Sequence, residues 1–150
     1  MDSHLFLGVP VLKARLILII LVLIPLQIIS QIPDGQISRN VEKYFSMNHS
    51  DPALVSAEIS NDFIHGRTLT IKIIGNRNTK QKDLAFAFAV GSAVANFAAK
   101  PIEMLCVQVD VRYKGLETSV AIAPVACSVE AMVLGETDFE TWWKDCLQFL

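Results

Sequence analysis

Arg77, Lys80 and Lys82 crowd into one short loop, Gly75-Asn76-Arg77-Asn78-Thr79-Lys80-Gln81-Lys82, just ahead of a stretch that reads as helix. Cations beside the free N–H groups and positive dipole end of a helix are the parts of an anion site; a plain solvated loop is the alternative reading. The loop is not a phosphate-binding P-loop, because no second glycine precedes the lysine and no Gly-Lys-Ser/Thr occurs. Asp110, Arg112 and Glu117 are a second titratable group. On a solvated hairpin face they read as surface ion pairs. Ser92 follows Gly91 inside a helical pattern, without the strand–turn–helix elbow that exposes a nucleophile. His4, His49 and His65 are scattered, and none has the spacing of a metal ligand pair. These residues argue for no catalytic centre, no metal and no cofactor.

Apolar chemistry is more prominent. Trp142 and Trp143 are adjacent, so on a helix they point about 100° apart, and a single contact face does not easily bury both. One of them, with Phe149 and Leu150, would form an exposed apolar patch of the kind that receives a partner protein; the alternative is a broad groove that packs both.

The strongest signal is an address. Leu16–Ile29 is apolar throughout except for Gln27, Lys13 and Arg15 stand just before it, and no charge intervenes between Arg15 and Asp34. Two readings stay open. The 14 residues suit the core of a cleaved signal, about 7–15 residues, with Ser30 before the cut. Extended to Ile32, residues 16–32 serve as an uncleaved anchor contacting membrane lipid, although Pro25 would kink it. In both, the basic side of the run keeps residues 1–15 in the cytoplasm and the remainder is exported. Leu5–Leu12 is too short to span. Residues 31–150 carry three more acidic than basic side chains, which argues against nucleic acid as a partner.

Behind residues 33–36, read as a linker, periodicity predicts one small α+β domain over 37–150. The expected order is α-β-β-α-β-β-α, with a four-stranded, mainly antiparallel sheet covered by helices on one face. A helix over Ile37–Met47 presents Ile37, Val41, Tyr44 and Phe45. Strands alternate through Val55, Ala57, Ile59 and Phe63, then through Leu69, Ile71 and Ile73. Thr79 caps an uncharged helix with Phe86, Val90, Val94 and Phe97 on one stripe and Leu84 and Phe88 beside it; a second membrane span is the alternative for this run. With Lys114-Gly115 as a two-residue turn, the next hairpin pairs Val111 with Thr118, Val109 with Val120 and Val107 with Ile122. That register also sets Arg112 against Glu117, Asp110 against Ser119 and Cys106 against Ala123. It leaves Cys127 too far along the ladder to bond Cys106. Thr137-Asp138-Phe139-Glu140 is a capping box for the last helix, and Asn48-His49-Ser50 is a glycosylation triplet.

The reading these features support is a membrane-anchored or exported, non-catalytic protein-interaction module, such as an accessory or assembly subunit of a membrane complex. A small-ligand or anion binder, and a small extracytoplasmic enzyme without a recognisable motif, are the competing classes.

Overall fold

Proline has a fixed φ and no N–H, so it sits comfortably just ahead of a first helical turn. Helix α1 (Asp34–Met47) begins directly after Pro33. Asp34, Gly35 and Gln36, expected as linker, are its first turn. In this computed structural model the described residues are 31–47, 52–112 and 115–150. The apolar run Leu16–Ile29, its basic flank, Leu5–Leu12, Ser30, the Asn48-His49-Ser50 triplet and Lys114 of the expected turn lie outside them. Ile37, Val41 and Phe45 of α1 are buried, while Tyr44 turns outward.

Strands β1 (Ala53–Asp62) and β2 (Gly66–Gly75) form an antiparallel hairpin. A register irregularity between Leu54 and Ser56 takes Val55 out of the ladder and leaves it exposed. Phe63, expected to point inward, lies in the turn after β1 and is exposed. Leu69, Ile71 and Ile73 are fully buried, as their alternation requires.

Helix α2 (Lys80–Asn96) returns the chain to the start of β3 (Met104–Arg112), which therefore pairs parallel to β2. This helix belongs to the core of the domain. Among the described residues no helix is long and apolar enough to cross a membrane. Its buried positions spread over most of its circumference, so Phe88 is enclosed and Phe97 is exposed, against the expected stripe. Gly91 lets it lie close on the sheet. A Cβ there would stand 3.1 Å from Ile71 Cδ1 and 3.2 Å from Leu105 Cδ2.

Strand β4 (Leu116–Pro124) pairs antiparallel with β3, and β5 (Gln148–Phe149) adds a short fifth strand outside β4. The described residues thus form one α+β sheet of five strands in the order β1-β2-β3-β4-β5, where four were expected. Three of its four ladders are antiparallel. The β3–β4 register differs by one residue from the expected one. Val107 faces Ala121, Val109 faces Ser119, Val111 faces Glu117 and Cys106 faces Ile122. The cause is volume. On the helix-covered face β4 offers Ala121 and Ala123, both fully buried, in one core with Val125 and Trp142. Val120 and Ile122, bulkier than the two alanines, fall on the opposite face. An apolar alternation on each strand did not reveal which β4 face the helices require.

Beyond β4 the chain forms α3 (Val125–Val129), a π-helical turn (Glu130–Leu134) and α4 (Phe139–Asp145).

A pinned aromatic ridge as candidate binding surface

Helix α4 starts one residue later than the Thr137–Glu140 capping box would place it. Asp138 is the N-cap, with Oδ1 accepting from Thr141 N at 2.9 Å and Oδ2 from Thr141 Oγ1 at 2.7 Å. Hydrogen bonds from Thr141 hold the Asp138 carboxyl below its ordinary range. The cap fixes the rotation of this two-turn helix and so the fates of its two tryptophans. Trp142 is fully buried, 5.3 Å from the Phe88 ring centroid, and its Nε1–H donates to Ser128 Oγ at 3.1 Å. It belongs to the core, which removes it from the expected partner surface. Trp143 is half-buried between Phe139 and Phe149, with centroid distances of 5.6 and 5.9 Å. Phe139, Phe149 and Leu150 are exposed.

The ridge is pinned at both ends. A disulfide joins Cys127 of α3 to Cys146 just after α4, with Cα atoms 6.3 Å apart, within the ordinary range. Then Phe149 pairs with Ala121, and Leu150 N donates to Val120 O at 3.0 Å. Beside the ridge lies a cleft of about 350 Å³, walled by Leu84, Val109, Ala121, Trp143 and Phe149, with Lys80 and Gln81 among its polar lining.

The expected anion residues are arranged differently. Lys80 Nζ lies 2.9 Å from Glu117 Oε1, and this contact, with the charge of Lys80, lowers the Glu117 pKa. Arg77 and Lys82 are exposed, and the charge of Arg77 acts on Glu117 in the same direction. At the start of α2, Asp83 Oδ2 accepts from Asn76 N and from Thr79 Oγ1, each at 2.9 Å. The protein's own carboxylate therefore occupies the turn where an anion site would have held its ligand. Thr79 is the N-cap residue but makes no side-chain cap bond to the helix backbone.

Asp110, Arg112 and Glu117 do not converge. Glu117 stands opposite Val111 and Arg112 opposite Leu116, so the expected Arg112–Glu117 pair is absent from the ladder. Asp110 instead accepts from Gln108 Nε2 at 3.1 Å and Thr118 Oγ1 at 2.8 Å, and lies 3.4 Å from Lys72 Nζ. The hydrogen bonds from Gln108 and Thr118 hold its carboxyl below the ordinary value.

One juxtaposition was invisible in the sequence. A shallow depression of about 210 Å³ on the uncovered sheet face brings Asp62, His65 and Cys106 to its walls. His65 Nδ1 lies 2.8 Å from Asp62 Oδ2, the arrangement that orients a base. Burial, however, pushes the Cys106 thiol up, and the hydrogen-bond partner that bears on its titration is Thr70. A raised thiol is a poor nucleophile. Among the described residues no three His, Cys, Asp or Glu side chains converge as metal ligands do.

No family model, curated protein or solved structure matches this chain.

Proposed function

We propose that this chain is a membrane-tethered or exported, non-catalytic interaction domain that docks a partner protein on the Phe139–Trp143–Phe149 ridge, as an accessory or assembly subunit of a membrane complex does. The observation that carries the reading is the Cys127–Cys146 bond across the base of an exposed aromatic surface. A disulfide persists in oxidising compartments, which supports export by the apolar run. Pinning also lowers the ordering cost of binding, and half-buried aromatics make effective anchors. The cleft beside Trp143 supports a second use, capture of a small apolar ligand.

The test uses the full chain in its own membranes, with a photo-cross-linking phenylalanine analogue at Phe149 and, as control, at Glu58. The reading expects one discrete protein adduct from position 149, none from position 58, and loss of the adduct in Trp143→Ala. Alkylation of the denatured, unreduced chain should label Cys106 alone. Labelling of all three cysteines before reduction, together with a reporter after Leu150 active only inside the cell, would overturn the export. Equal adducts from both positions would overturn the ridge, and a thermal shift with apolar small molecules then decides for the ligand reading.

A further inference from the structure

The turn joining β1 to β2 carries two large apolar side chains in full solvent. Phe63 is 108 % and Ile64 83 % exposed. Neither belongs to the core, yet the turn that presents them is ordered by its own bonds. Asp62 Oδ1 accepts from Ile64 N at 3.0 Å, and Asp62 Oδ2 lies against His65 Nδ1. Their place in the fold is informative. Asp62 pairs with Gly66, and the next residue, Arg67, reaches Asp34 Oδ1 at 2.6 Å through Nη2. Lys100 Nζ lies 3.4 Å from the other Asp34 oxygen. Ile32 N donates to Phe97 O at 2.7 Å, and Ala99 N to Ile32 O at 2.8 Å. The turn, the exposed Phe97 and the point where the chain enters the domain therefore share one end of the sheet.

The apolar run ends at Ile29, three residues before Ile32, at most about 11 Å of extended chain. Chain length alone bounds how far this end of the sheet can be from a lipid-held Ile29. Charge at this end is small: Arg67 and Lys100 stand against Asp34, Glu103 and Asp62, the last in contact with His65. The buried Arg67 Nε has no hydrogen-bond partner among the described residues.

We infer that Phe63 and Ile64 form a second membrane contact, entering the headgroup layer of the bilayer that holds residues 16–29. The inference rests on the tether of the proposed function, with lipid as the occupant. Apolar side chains at such an interface sink about 5–10 Å into the headgroup–acyl boundary. Trp143 and Phe149 share a cleft with Lys80 and Gln81 at the other end of α2, which leaves that part of the ridge to a partner, while Leu150 lines the depression beside Asp62 and His65.

Phe63→Trp and, as the control at the opposite end of β4, Leu116→Trp are placed in the full chain and reconstituted into phosphatidylcholine vesicles. Both positions are exposed, so neither substitution disturbs the core. The emission of the added indole is read by subtracting the wild-type signal of Trp142 and Trp143. Trp at position 63 is expected to emit further to the blue and to lose roughly half its intensity or more when the acyl chains carry bromine, given that depth. Trp at position 116 is expected to be unaffected. Equal quenching at the two positions, or none at 63, overturns the inference. Flotation with the vesicles through alkaline carbonate separates the two readings. A chain retained but unquenched at 63 loses only the second contact, and a chain that is not retained loses the tether as well.

Discussion

Replacing Cys127 and Cys146 together by alanine tests how much of the C-terminal face is held covalently. The bond closes a loop with a sequence separation of 19. The chain-entropy relation for a loop of that size gives about 11 cal/mol/K, or about 3 kcal/mol at room temperature. The folded unit runs from Gln31 to Leu150. For a domain of that size each kcal/mol moves the melting temperature by about 3–5 °C, so the double variant should melt about 10–15 °C lower. The half-buried sulfurs also leave small gaps beside α3 and α4, which act in the same direction. Thermal denaturation of the full chain in detergent, with and without reductant, is the assay. Wild type with reductant should approach the double variant, whereas Cys106→Ala should keep its dependence on reductant. A double variant melting within about 3 °C of wild type, well below the shift the loop relation requires, would refute the reasoning.

Trp142→Ala should cost about 3–5 kcal/mol in urea unfolding, because a fully enclosed indole is lost. Trp142→Phe should cost about 1–3 kcal/mol, as Ser128 Oγ loses its indole donor. Trp143→Ala, half-exposed, should leave most stability intact while abolishing the position-149 adduct; equal destabilisation by Trp142→Ala and Trp143→Ala would contradict the division between core and ridge. Gly75→Ala places a Cβ 2.7 Å from Asp83 Oδ2. It should displace the carboxylate from Asn76 N–H and Thr79, at about 1–2 kcal/mol by analogy with a lost helix cap, and unfolding in urea reads it. The Asp110 carboxyl is lowered by Gln108 and Thr118 from an ordinary value of 3.8, so the unfolded chain takes up this proton first as pH falls. Stability present at neutral pH should decline as pH passes below 3.8 and go on declining to the lowered folded value. Asp110→Asn should flatten that acid limb in pH-dependent melts, and an unchanged limb would refute the assignment.

Local periodicity was sufficient wherever one strand or helix face meets the core on its own terms. The α+β class, the Ile37–Val41–Phe45 face, the buried Leu69–Ile71–Ile73 row and, to within one residue, the start of the last helix were legible in the sequence, because each rests on bonds or burial within a few residues. The apolar run before residue 30 is equally plain as composition. What only the tertiary structure decided are pairings between distant residues. The β3–β4 register turned on Ala121 and Ala123 beneath the helices, and local alternation cannot weigh that volume against Val120 and Ile122. The choice of Cys127 and Cys146 as partners, the burial of Trp142 but not Trp143, and the capture of Lys80 by Glu117 likewise depend on where α2, α4 and β4 meet. Each is a contact across the fold, set by packing at close density, to which sequence spacing is blind.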